Sequence, residues 1–274
     1  LPEAQAARWT PPAGPLGELT TQSRQRARES ALARPELEVL AAAAAPAPDF
    51  AAALRAPTVA VIAELKRSSP SKGSLDPTLD AGARTRLYEA GGAAALSILT
   101  EPSRFGGSLA DLREARAAVA LPLLRKDFIT SDVQVLEARA YGASAVLLIA
   151  RALPPAELLE LAAAVREYGM TPLVEVRSES ELATAVAVPG AVIGVNNRDL
   201  ETLVIEPEVG ARMIPAVPAD RVAVYESGLT DAAGVARAAA LGADAVLIGS
   251  SLSVAADPTT LLRAMAAVAR QGRG

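Results

Sequence analysis

Only three of the 27 basic residues are lysines, Lys66, Lys72 and Lys126; the rest are arginines in an alanine-rich chain. An ammonium can give up its proton near neutral pH and a guanidinium cannot. Lysine kept against such a bias therefore points to proton transfer or anion binding, above all at Lys66 and Lys126. The chain has no histidine and no cysteine. That excludes thiolate nucleophiles, disulfides and the usual zinc sites, and leaves acid–base work to Asp, Glu, Lys and Tyr. Glu64 precedes Lys66 by two positions, so on a strand both side chains point the same way and can shift each other's pKa. No dense carboxylate cluster calls for a metal, and none is expected.

The elements that must hold these groups can be read in order. Eight apolar, β-rich runs cover Val59–Leu65, Ala94–Leu99, Leu121–Leu124, Ala145–Ile149, Pro172–Val176, Val192–Val195, Arg221–Val224 and Ala245–Ile248. They are near-continuously hydrophobic, as parallel strands covered on both faces are. Helical patterns fill the gaps. Leu158, Leu161, Ala162 and Val165 follow the i, i+3, i+4, i+7 rule, with similar stripes at Val133, Leu136 and Ala140 and at Leu261, Met265 and Val268. Ser131 with Gln134, and Ser178 with Glu181, have capping-box spacing. Two returns into strands, Gly142-Ala143-Ser144-Ala145 and Gly242-Ala243-Asp244-Ala245, resemble each other and suggest repeated βα units.

Eight βα units predict an α/β fold, a (β/α)8 TIM barrel, with an open doubly wound sheet as the alternative. Residues 51–274 form the predicted barrel. Residues 1–50 form an N-terminal helical extension, a charged helix over Arg24–Leu40 followed by an Ala/Pro linker, placed to cap one end. In such barrels chemistry collects where strands end. Glu64 and Lys66 follow the first run, Lys126 the third, Glu175 the fifth, Asn196 and Arg198 the sixth. Glu226, Ser227 and Gly228 follow the seventh, and Gly249 and Ser250 the eighth. The opposite rim is mostly Ala, Pro and Val. Gly-Ser pairs after the last two strands let backbone N–H groups approach an anion, so a phosphorylated small molecule is the expected ligand.

Charges of both signs are scattered and the net charge is −4, which argues against a nucleic-acid groove or an anionic membrane surface. No apolar run reaches the roughly 20 residues of a membrane span. Leu1–Thr10 lacks the pattern of a signal peptide, so a cytoplasmic protein is expected. Its partner is a small molecule, without nucleic acid or membrane. A monomer is expected, with weak self-association as the alternative.

The segment Ile62-Ala63-Glu64-Leu65-Lys66-Arg67-Ser68-Ser69-Pro70-Ser71-Lys72-Gly73 closely resembles a signature of indole-3-glycerol phosphate synthases. So do Leu124–Phe128, Leu173–Val176, Ile193–Leu200, Glu226–Gly228 and Ile248–Ser250, in the right order over roughly residues 50 to 270. Arg177 and Tyr225 depart from the family's usual residues and bear only on local packing. The resemblance implies ring closure, decarboxylation and dehydration of 1-(2-carboxyphenylamino)-1-deoxyribulose 5-phosphate in tryptophan biosynthesis, without a cofactor. It implies Lys126 as general acid, with a pKa lowered by nearby cations. Glu175 and Glu64 become the candidate bases and Lys66 a second acid and phosphate ligand. Asn196 belongs with the catalytic set. Ser69, Arg198, Glu226 and Ser227 become substrate-binding or orienting residues, and Phe128 a surface for the aromatic ring. Gly228, Gly249 and Ser250 join Lys66 around the phosphate. The neighbouring isomerase barrel uses a cysteine on its first strand, which this chain lacks. A Schiff-base barrel using Lys126 and a non-catalytic scaffold are the other rivals.

Overall fold

A computed structural model describes residues 9–69, 73, 74, 76 and 78–273. Eight strands run β1 Ala60–Leu65, β2 Ala95–Leu99, β3 Leu123–Lys126, β4 Ala145–Ile149, β5 Thr171–Val176, β6 Val192–Asn196, β7 Ala223–Glu226 and β8 Ala245–Ile248. Every barrel pairing is parallel and β1 closes onto β8, so the sheet is a closed (β/α)8 barrel, not an open sheet.

Strands β3 and β7 each end two residues beyond the apolar run that marks them. Arg125-Lys126 and Tyr225-Glu226 finish them. A rule that looks for hydrophobic residues stops short where strands carry the polar groups of a site.

Alternation sorts the side chains. Ala60, Ile62, Ala95, Leu124, Ala145, Leu147, Leu173, Val192, Val224 and Ala245 pack in one cluster inside the barrel. Val61, Ala63, Leu96, Leu123, Val146, Val174, Ile193 and Val246 belong to the cluster between strands and helices. The helix Pro155–Glu167 buries Leu158, Leu161, Ala162 and Val165 as its periodicity requires. The last helix, Pro258–Ala266, buries Leu262 and Met265, and Leu261 and Val268 of the predicted stripe pack, partly buried, against the same core. Gly142 and Gly242 have φ of 88° and 93°, left-handed positions that let helices end and chains turn into β4 and β8.

The N-terminal segment forms two helices rather than one. Gly14–Ser30 and Arg34–Ala43 are separated by a 3-10 turn at Ala31–Ala33. Pro35 opens the second helix, because proline has no N–H to donate to a preceding turn. Leu16 and Leu19 enter the interior cluster together with Phe128 and Ile149. Arg26 pairs with Asp127 at 2.8 Å, the Ser23 hydroxyl donates to the Phe128 carbonyl, and the Leu16 N–H donates to the Leu200 carbonyl at 3.1 Å. These contacts lay the helix Gly14–Ser30 across the loops that follow β3, β4 and β6. The short helix Phe50–Ala53 adds Phe50 to the same interior cluster beside Ala60 and Val222, near the strand starts.

The predicted capping box at Ser131 does not form. Ser131 makes no cap bond, and Gln134 accepts from the Thr130 N–H while donating to the Ser23 hydroxyl at 2.8 Å. A tertiary partner from the N-terminal helix has taken the side chain. Ser178 does cap its helix, accepting from the Glu181 N–H.

Candidate active site

Continuing the inward alternation past Ile62, Leu124, Leu173 and Val224 places Glu64, Lys126, Glu175 and Glu226 inside the barrel mouth. They come from the odd-numbered strands, one each, as a single interior layer does. The Lys126 ammonium lies 3.1 Å from Glu175 Oε2 and 3.2 Å from Glu226 Oε2. The Lys66 ammonium lies 2.9 Å from Glu64 Oε1 and 3.1 Å from the Ser250 hydroxyl. All six line one cavity of about 140 Å3. The even strands add Leu99, Ile149 and Asn196 to its wall, and Gly249, just past β8, completes it.

Two glycines make the layer possible. A Cβ at Gly194 would sit 2.2 Å from Glu226 Oε1, and a Cβ at Gly249 would sit 2.3 Å from Glu64 Oε1 and 3.0 Å from Lys66 Nζ. Both positions accommodate a charged neighbour with no room for a methyl group.

The layer's electrostatics correct one expectation. Burial alone would lower the pKa of Lys126, but the carboxylates of Glu226, Glu175 and Glu64 outweigh it and push the pKa well above the usual lysine value. The expected lowering by nearby cations does not hold. Lys66 is turned toward Glu64 and Ser250, and Arg125 points outward into ion pairs with Glu137 at 2.9 Å and Asp127 at 3.3 Å. Glu226 shows the converse. Burial raises its pKa, Lys126 opposes, and Glu175 and Glu64 raise it further, from 4.5 to about 7. Its Oε1 is buried and has no hydrogen-bond partner among the described residues.

The loop after β6 is held by its own polar groups. Asn196 Oδ1 accepts from the Arg198 N–H at 2.9 Å and from the Ser227 hydroxyl at 2.8 Å. That leaves the Asn196 amide nitrogen as the donor toward the cavity. Arg198 donates to the Leu203 carbonyl at 2.8 Å, and burial lowers its pKa. Asn197 is fully buried. It donates to the carbonyl of Glu226 at 2.7 Å and accepts from the Gly210 N–H at 2.8 Å, tying the ends of β6 and β7 together. Ser227 and Gly228 both have positive φ, 67° and 88°. A serine in that region is uncommon and is found where a site fixes the backbone.

Phe128, Arg198, Ser227, Gly228, Gly249 and Ser250 all line the same cavity as the acid–base layer. Ser69 is placed only through its backbone, in the two-residue strand Ser68–Ser69, and its side chain lies outside the described residues, as do Pro70, Ser71 and Lys72. Sequence reasoning missed the apolar wall: Phe105, Leu147, Leu200, Leu229 and Leu247 also line the cavity. Phe105 lies 6.4 Å from Phe128, centroid to centroid. Such residues look like ordinary core in a sequence; only their closeness to a charged layer distinguishes them. Arg177 reaches the Asn197 carbonyl at 3.1 Å and Glu206, and Tyr225 packs against Gly210. Both departures are absorbed in local packing.

A parallel eight-stranded barrel with an acid–base layer at the strand ends and a polar nook after β7 and β8 defines a (β/α)8-barrel enzyme. Solved structures agree at the level of fold. One is 3-hexulose-6-phosphate synthase from Salmonella typhimurium, with a TM-score of 0.61 at 15% identity, covering 76% of this chain and 97% of that one. Another is tryptophan synthase subunit alpha from Legionella pneumophila, with a TM-score of 0.57 at 16% identity, covering 76% and 91%.

The family model for indole-3-glycerol phosphate synthase matches residues 16–265. A relative of that name from a Nocardioides species is 50% identical over 241 residues, covering 88% of this chain and 93% of its own. Indole-3-glycerol phosphate synthase 1 of Streptomyces coelicolor is 49% identical over 233 residues, covering 85% and 87%. The one from Mycobacterium avium is 46% identical over 232 residues, covering 85% of each. The chain belongs to the indole-3-glycerol phosphate synthase family and is an enzyme of that kind, a carboxy-lyase of tryptophan biosynthesis. Among the described residues no helix is long and apolar enough to cross a membrane.

Proposed function

We propose that this chain closes, decarboxylates and dehydrates 1-(2-carboxyphenylamino)-1-deoxyribulose 5-phosphate, and that two lysine–glutamate pairs divide the proton transfers. In the first step the ring carbon bearing the carboxylate bonds to the ketone carbon, and Lys126 delivers a proton to the ketone oxygen. Carbon dioxide then leaves and aromaticity returns. In the last step the new hydroxyl leaves as water while a proton is lost from the neighbouring carbon. Lys66 and Glu64, 2.9 Å apart, act as the acid and base of that step. Glu175 and Glu226 hold the Lys126 ammonium from two sides.

The apolar wall of Phe105, Phe128, Leu147 and Leu247 suits the aniline ring and favours loss of its carboxylate charge. Asn196 and Arg198 orient the sugar hydroxyls and the carboxylate. Lys66, Gly228, Gly249 and Ser250 receive the phosphate, aided by the unpaired N–H groups where the chain turns into a helix at Ser250. Every group comes from one chain, so the site is complete in a monomer, and the reading places the enzyme in the cytoplasm without a cofactor.

The observation that carries this reading is Lys126 held between Glu175 and Glu226 in the cavity that also contains the Lys66–Glu64 pair. The test supplies the anilino sugar phosphate to EDTA-treated protein and follows indole fluorescence. Turnover is expected at an undiminished rate. No product, or a borohydride-trapped adduct on Lys126 during turnover, would overturn the reading.

A further inference from the structure

The reaction proposed for this chain consumes one proton per turnover. The substrate carboxylate leaves as neutral carbon dioxide and the ketone oxygen leaves as water. Two acids each give a proton and one base takes one back. If Lys66 gives and Glu64 takes in the dehydration, that pair resets itself. The deficit then falls on Lys126, whose ammonium gave its proton at ring closure. Its hydrogen-bond partners are the buried carboxylates Glu175 and Glu226. While the main cavity holds substrate or product, a replacement proton needs another way in.

A second cavity, of about 260 Å3, lies behind Glu175. Ile149, Glu175 and Leu200 line both cavities and so form the partition between them. Beyond that partition the second cavity has a mixed lining: the apolar Leu16 and Val176, and the polar Arg151, Arg177, Ser178, Glu181, Asp199 and Glu201. A cavity of this size admits several waters beside its polar groups. Glu175 uses Oε2 for Lys126, and no hydrogen bond holds its Oε1 among the described residues.

Three half-buried carboxyls share this space, Glu181, Asp199 and Glu201, and Glu181 is the one neither paired with an arginine side chain nor tied into a turn. Its Oε2 accepts from the Arg177 N–H at 2.8 Å, and its position is fixed at the start of the helix Glu179–Val186. The cations around it are engaged elsewhere. The Arg177 guanidinium is held by Glu206 and the Asn197 carbonyl, and Arg151 pairs with Glu201 at 3.0 Å. Asp199 accepts from the N–H groups of Glu201 and Thr202. Burial raises the pKa of Glu181, the Arg177 N–H, Ser178 and Arg151 oppose, and Glu175 raises it further, so it holds a proton more readily than an exposed glutamate.

We propose that the cavity behind Glu175 is the proton entry of this enzyme, and that Glu181 is its relay. A proton passes from solvent to the Glu181 carboxyl, through water to Glu175, and on to the neutral Lys126 amine, restoring the ammonium. Glu181 never meets the substrate; it acts through Glu175 as a positioning residue for the proton.

The inference rests on the proposed reaction, and the experiment separates the two. Glu181→Gln keeps an oxygen to accept from the Arg177 N–H but cannot carry a proton. Its kcat should fall roughly 10-fold, less than the 100- to 10,000-fold of a group that exchanges protons with the substrate itself, with KM within about twofold. The solvent deuterium isotope effect on kcat should grow, and kcat at fixed pH should become dependent on the concentration of imidazolium buffer. The pH at which kcat falls on the alkaline side should move down. Glu181→Asp, which keeps the acid, should recover most of the rate and lose the buffer dependence. A Glu181→Gln enzyme with wild-type kcat, isotope effect and buffer independence overturns the relay. So does an equal loss in both variants with an unchanged isotope effect, which would mark a structural role. A wild-type protein inactive on the anilino sugar phosphate overturns the reaction instead.

Discussion

Replacing Glu226 by glutamine tests how the charged layer is maintained. Glu226 is 1% exposed and has one oxygen on Lys126 and one without a partner. Its pKa rises from 4.5 to about 7 on folding. A carboxyl that holds its proton more tightly when folded makes the protein more stable at low pH. Stability from this group is lost as pH rises from 4.5 through 7, and is constant above. At 1.36 kcal/mol per unit the full loss is about 3 kcal/mol. Glutamine resembles the protonated acid, so the stability of Glu226→Gln relative to wild type should rise by about 2.5 kcal/mol between pH 5 and pH 8. Equilibrium urea unfolding of both proteins at the two pH values gives the double difference, in which size and packing changes cancel. Activity should move oppositely, because Lys126 loses one of the two carboxylates that hold it. A stability difference that is the same at pH 5 and pH 8, or a variant less stable than wild type only at pH 8, would refute the assignment of a raised pKa to Glu226.

Lys126→Ala should lower kcat on the order of 1000-fold with a much smaller effect on KM, since a general acid contributes 100- to 10,000-fold to the step it serves; steady-state indole fluorescence gives both parameters, and a loss confined to KM would contradict the role. Gly249→Ala leaves the backbone free to keep its negative φ, but its methyl group must displace Glu64 or Lys66. A misplacement of about 1 Å costs around 100-fold in rate, so kcat/KM should fall on that scale while the thermal midpoint changes by only a few degrees; an unimpaired Gly249→Ala enzyme would show that the Glu64–Lys66 pair is not used as placed.

The barrel was legible because its strands are continuously apolar and its returns repeat. The charged residues that share the cavity were legible because lysine is scarce and because Glu64, Lys126, Glu175 and Glu226 each fall near the end of a run of apolar residues. Three things were not. The break at Pro35 was visible as a proline, but the continuous charged pattern around it reads as one helix. Gln134 looked like half of a capping box, yet its partner Ser23 stands 111 residues away. The pKa of Lys126 depends on which neighbours face it. From the sequence, cations surround it: Arg125 is adjacent and Lys66 is on the same rim. In the barrel, alternation sends Arg125 outward to Glu137, and Lys66 is held by Glu64 and Ser250, so carboxylates close around Lys126 instead.

That arrangement has a functional consequence. A lysine with a lowered pKa would be a ready acid but would spend part of its time unprotonated. In the proposed reaction Lys126, surrounded by Glu175 and Glu226, enters every cycle charged. Giving up the proton then becomes favourable only when the substrate supplies a developing alkoxide beside it, a negative charge stronger in its demand than either carboxylate. The same carboxylates keep the neutral amine short-lived: once the proton has gone, their field draws another back to it. On the proposed relay, the layer favours fast recharging over ready donation, which makes the supply of protons to Glu175, and not the acidity of Lys126, the property most exposed to mutation in the surrounding residues.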